Sequence, residues 1–76
     1  MFMKDFVENK INAYAKKIID GGERRDDHAM GELSFYMAFR RVLGGNATLQ
    51  DVGMVDAIND VLQERGLVAK GKTFYK

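Results

Sequence analysis

Apolar residues recur at helical spacing in three stretches of the chain. In the first, Met3, Val7, Ile11, Tyr14, Ala15 and Ile18 share one face, and Asp5, Asn9, Asn12 and Lys16 share the other. This predicts an amphipathic helix over about 4–20. In the second, Leu33, Phe35, Tyr36, Met37, Phe39, Val42 and Leu43 spread around most of the circumference. That distribution predicts a central helix over about 28–43, packed on more than one side. In the third, Met54, Val55, Ala57, Ile58, Val61 and Leu62 form the apolar face, and Asp56, Asn59, Asp60, Gln63 and Glu64 the polar one. Leu49 and Val52 do not continue the apolar face, and Gly53 lies between. The preferred reading is a short turn over 48–52, a bend, then a helix over 54–65; one continuous helix from Leu49 is the alternative.

Punctuation agrees with three helices. Gly21-Gly22, Gly44-Gly45 and Gly66 each follow a periodic segment, where a residue in the left-handed conformation closes a helix. Asp26 or Asp27 is placed to cap the second helix, and Asn46 or Thr48 the third. After Gly66, the strand formers Leu67, Val68, Phe74 and Tyr75 flank a Lys70-Gly71-Lys72 turn and predict a small hairpin over about 67–75. The expected fold is mainly α, a three-helix domain with a short C-terminal β-hairpin. A plain three-helix bundle with an extended tail is the alternative.

Length narrows this to one domain. A chain of 76 residues buries only about 60% of the surface it exposes when unfolded. Such a domain uses its apolar residues fully or borrows surface from a partner. Phe2 and Phe6 form a group beside the main stripe of the first helix. They either fold over the edge of the core or anchor a partner or a second copy. The absence of cysteine excludes disulfides, thiolate nucleophiles and Cys-ligated zinc. The N-terminus shows no signal-peptide pattern, and no run approaches the roughly 18 apolar residues of a membrane span. A cytoplasmic protein without a membrane partner is expected.

Residues 66–73, Gly-Leu-Val-Ala-Lys-Gly-Lys-Thr, match the phosphate-loop pattern letter for letter. The pattern acts through a strand before the loop and a helix after it, whose amides hold the phosphates. Here a helix precedes Gly66, and only three residues follow Thr73. The match is coincidental: Gly66 ends a helix, Gly71 makes a turn and the lysines keep an edge soluble. Other chemistry is equally thin. His28 and Ser34 are six apart, a spacing that does not pair side chains on a helix. Asp26, Asp27 and His28 read as a cap and a solvated residue rather than metal ligands. Asp56 and Asp60 pair on an exposed helix face. No enzyme activity and no cofactor are expected.

The order of helix, helix, helix and hairpin, ending in Glu-Arg-Gly-Leu-Val-Ala-Lys-Gly-Lys-Thr-Phe-Tyr-Lys, resembles that of a winged helix. The resemblance is architectural and covers about the last 30 residues. It implies nucleic-acid binding through the third helix, whose exposed face then needs Arg, Lys, Asn and Gln. That face carries Asp56, Asp60 and Glu64, which phosphates repel, and the net charge is only +1.

Two functions are therefore weighed. The first is a small non-enzymatic protein-binding module: an adaptor, regulator or inhibitor, of the size familiar among phage and mobile-element proteins, that occupies the surface of a larger protein. Its candidate contacts are Asp56, Asn59, Asp60, Gln63 and Glu64, with Phe2, Phe6, Tyr36, Phe74 and Tyr75 as aromatic anchors. The second, ranked lower, is a nucleic-acid-binding domain contacting phosphates through Arg24, Arg25, Arg40, Arg41, Lys70, Lys72 and Lys76. A homodimer fits either.

Overall fold

A computed structural model describes residues 3–22 and 26–75. Three helices follow one another, α1 (Met3–Asp20), α2 (Asp27–Gly44) and α3 (Leu49–Glu64), and the chain ends in a tail of turns. The helical part of the expectation stands. The predicted hairpin does not: among the described residues there is no strand.

Each helix starts and stops where local chemistry directs it. Asp26 caps α2, its carboxylate accepting the Ala29 N–H at 2.9 Å. Gly45 closes α2 with φ +80°, and the Asn46 N–H donates back to the Arg41 carbonyl. Gly66 closes α3 with φ +75°, and the Leu67 N–H donates to the Leu62 carbonyl. Both are six-residue closures that use orphan carbonyls and favour glycine at the left-handed position. α3 begins in a capping box. The Asp51 N–H donates to Thr48 Oγ1 and the Thr48 N–H donates to Asp51 Oδ2, each at 3.0 Å.

That box corrects the preferred reading of the third segment. α3 is one helix from Leu49, with no bend at Gly53. The cap nucleates the helix ahead of the glycine, so Gly53 costs only its propensity, about 1 kcal/mol relative to alanine, rather than breaking the element.

α2 is the central element. α1 packs on one flank and α3 on the other, and the backbones of α1 and α3 do not come together. Val7, Ile11, Phe39 and Val55 form the buried cluster, with Leu33, Phe35, Tyr36, Val42, Leu43, Phe74 and Tyr75 packed around it. Around Phe39 the rings form a continuous row. Tyr14 stacks on Tyr36, Phe6 and Phe35 meet Tyr36 edge-on, Phe35 leads to Phe39, Phe39 to Phe74 and Phe74 to Tyr75. The aromatic side chains expected as anchors thus mostly hold one another.

Two ion pairs tie the helices across α2. Arg40 Nη1 meets Glu8 of α1 at 3.1 Å. Arg41 grips Asp51 of α3 with two hydrogen bonds, at 2.6 and 2.8 Å. Asp51 is only 4% exposed. The Arg41 hydrogen bond first, then the Thr48 N–H, hold its carboxyl far below the usual carboxylate range. A carboxylate whose pKa is depressed on folding contributes all its stability above the unfolded value, about 3.9, and loses it as pH falls toward the folded one. The melting temperature is therefore expected to drop as pH falls below about 4, and Asp51→Asn should flatten that drop. Thermal melts at stepped pH check this. Parallel curves for the two proteins would mean that another group sets the acid limit.

Candidate functional site

The face that α3 turns to the core is not its most apolar one. The buried line is Asp51, Val55 and Asn59, each four residues apart. Relative to the apolar face read from the sequence, the helix is rotated by a little under one residue's turn. Ile58 and Leu62 remain half-buried, whereas Met54, Ala57 and Val61 face outward.

The next strip of α3 carries the tail. Asn59 Nδ2 and Gln63 Nε2 both donate to the Lys72 carbonyl at 2.9 Å, and the Phe74 N–H donates to Asn59 Oδ1 at 2.9 Å. The Tyr75 hydroxyl donates to Asp56 Oδ1, and that bond raises the Tyr75 pKa above the ordinary phenol value. The Asn59 amide thus presents a donor and an acceptor to residues 72 and 74, as a neighbouring strand would. This is the reason for the missing hairpin: the backbone of the tail pairs with side chains of α3 instead of with itself. A turn closed by the Lys72 N–H on the Ala69 carbonyl, with Gly71 at φ +80°, brings it into place.

The residues expected to form one exposed polar face therefore divide. Asn59 is 5% exposed and Gln63 half-buried, both engaged with the tail, and Asp56 is bonded to Tyr75. Asp60 and Glu64 remain on the surface. Of the aromatic candidates, Phe6 lies against Tyr36 with the Lys10 ammonium 5.5 Å from its ring, and Phe2 lies outside the described residues. The basic candidates do not gather into a patch that the described residues define. Arg40 and Arg41 are paired with Glu8 and Asp51, Lys70 and Lys72 are exposed on the tail, and Arg24, Arg25 and Lys76 lie outside the described residues.

Sequence reasoning missed the outer surface of α3. Leu49 is 92% exposed, Val61 61% and Met54 38%, and beyond the helix Leu67 is 74% exposed. Leu49, Gly53, Ala57 and Val61 make one ridge of residues four apart, and Met54 stands in the adjoining ridge. Asp60 and Glu64 border it. The signal was present in the excess of apolar positions around α3, which exceed one face: Val55, Ile58 and Leu62 were rightly read as inward, but Met54, Ala57 and Val61 were counted with them.

Exposed apolar side chains also occur on α1 and α2, at Met3, Phe6, Ile19, Met30 and Met37. A cleft of about 220 Å³ between the start of α1 and the end of α2 is lined by Lys4, Val7, Glu8, Arg40, Leu43 and Gly44. It is smaller than the roughly 300 Å³ at which small-molecule sites begin; a second, of about 500 Å³, lined by Ala13, Lys16, Lys17, Asp20, Gly21 and Asp26, is a shallow depression open to solvent. His28 Nδ1 lies 2.8 Å from Glu32, and the Ser34 hydroxyl donates to the Met30 carbonyl, so the two do not act on each other. Among the described residues no group of His, Asp or Glu is placed to hold a metal ion, and no helix is long and apolar enough to cross a membrane. Comparison of the chain with protein-family models, curated proteins and solved structures yields no match.

Asn59→Ala should cost about 1 kcal/mol or somewhat more, because it leaves the half-buried Phe74 N–H without its acceptor, and it should free the tail. Chemical denaturation and limited proteolysis after Lys70 or Lys72 read both effects, with Asp60→Ala as the unaffected neighbour. Wild-type stability and an equally resistant tail in Asn59→Ala would show that Asn59 does not hold it.

Proposed function

We propose that the chain is a small non-enzymatic protein-binding module, an adaptor, regulator or inhibitor, that acts by laying the outer face of α3 on a protein surface. The observation that supports this reading is the exposed apolar row of Leu49, Met54, Ala57 and Val61. Contiguous exposed apolar side chains on a rigid element mark sites of protein association. The row lies on a helix fixed to α2 by Arg41 and Asp51, so its geometry is set before a partner arrives, which lowers the cost of binding. Asp60 and Glu64 beside it discourage an acidic surface from settling there.

This reading moves the interface from the polar strip to the apolar ridge. Asp56, Asn59 and Gln63 serve the tail, and Tyr36, Phe74 and Tyr75 serve the core, whereas Phe6 stays 38% exposed. The lower-ranked nucleic-acid reading draws less support than before, because Arg40 and Arg41 are engaged with carboxylates. Phosphate binding then falls to the exposed tail lysines Lys70 and Lys72.

A photo-reactive residue at position 61 is expected to give protein adducts in a cell lysate, whereas the same residue at position 16, on the outer face of α1, gives none above background. Adducts of any mass at position 61 support the docking face. None there, or equal labelling at both positions, contradicts it.

A further inference from the structure

Resting on the reading that the outer face of α3 docks protein, we infer that its occupant is a second copy of this chain, with the two α3 helices packed antiparallel.

The first support is area. The chain exposes 5819 Å². A folded monomer of 8.6 kDa is expected to expose about 4,700 Å². The excess, about 1,100 Å² over the whole chain, exceeds the roughly 800 Å² that each partner contributes to a stable interface, and the exposed Leu49, Met54 and Val61 of α3 are part of it. Shape agrees with it. The radius of gyration is 14.0 Å and the extents are 44 × 26 × 22 Å, whereas a compact chain of this length has a radius of about 11 Å. The backbone of α3 meets that of α2 but not that of α1, and Leu49, Met54 and Val61 stay exposed on its outer side.

The second support is that the face fits itself. A twofold dimer requires one patch to be complementary to its own copy. The ridge Leu49, Gly53, Ala57, Val61 reads large, small, small, large from either end. In antiparallel register Leu49 of one copy lies by Val61 of the other, and Gly53 by Ala57. Antiparallel helices that cross at about 20° keep such pairs in contact over three turns. A Cβ added at Gly53 would touch nothing within 4 Å, so the space above it is open. The small pair permits close approach; the exposed Leu49, Met54 and Val61 provide the apolar area. The same register sets Asp60 of each copy beside Gln50 of the other, so these carboxylates do not face their own counterparts.

Sedimentation equilibrium of the purified chain tests the pairing. The expected result is twice the 8.6 kDa mass, halved by Val61→Asp and by Leu49→Asp with helical circular dichroism unchanged, and kept by Lys16→Asp. The chain has no cysteine, so register can be read directly. When Gly53→Cys and Ala57→Cys chains are mixed in equal amounts and oxidised, the mixed disulfide should exceed the two homodisulfides together, the amount that random pairing gives. A monomer at every concentration, a dimer that survives Val61→Asp, or a mixed disulfide no more abundant than the two homodisulfides together would overturn the inference. A monomer whose position 61 still forms adducts with other proteins leaves the docking face standing with a different occupant. A monomer that forms none removes both.

Discussion

Asp51 accepts hydrogen bonds from Arg41 of α2 and from the Thr48 N–H, and its own N–H donates to the Thr48 hydroxyl. One carboxylate therefore starts α3 and aims it. A charge this deeply enclosed has few alternatives: turning α3 to bury more apolar surface would separate the pair and leave each member costly to desolvate alone. Four residues on, Val55 follows Asp51 into the core. Four further, Asn59 takes the backbone of the tail. The rotation of α3, the seat of the tail and the bare outer ridge all follow from this line of contacts.

A short chain explains why the arrangement stays open. Seventy-six residues supply one strongly apolar helix, and α2 is shared by every other element. α1 covers one flank and α3 another, while Phe74 of the tail extends the aromatic row from Phe39. Among the described residues no further helix closes over α3, and its remaining apolar side chains meet water. In a domain with so high a ratio of surface to volume, such a ridge is removed from water most readily by association.

Much of this was legible in the sequence. The three helices, the glycine closures, a cap at Asp26 or Asp27 and the central place of α2 follow from periodicity and from the chemistry of helix ends. The phase of α3 was not legible, because hydrophobic periodicity ranks side chains by polarity and puts Asp51 and Asn59 outside. Their burial is compensated by partners distant in sequence, Arg41 before and Lys72 and Phe74 after, which no local pattern contains. The hairpin failed for the same reason: Leu67, Val68, Phe74 and Tyr75 have strand propensity, but an amide side chain on α3 competes for the backbone of the tail. Gly53 carried too much weight, since a capping box just before it offsets its cost. The candidate site moved accordingly, from polar residues that hold the tail to apolar ones displaced from the core.

The central claim is that polar contacts, not apolar surface, choose the face α3 presents to α2. Thiol labelling tests it most directly, with single cysteines at positions 55 and 61 in chain diluted enough to remain monomeric. The account predicts that position 61 reacts at close to the rate of the unfolded chain, while position 55 is strongly protected. Protection at position 61 in the monomer would contradict it, and would put the apolar ridge of α3 in the core.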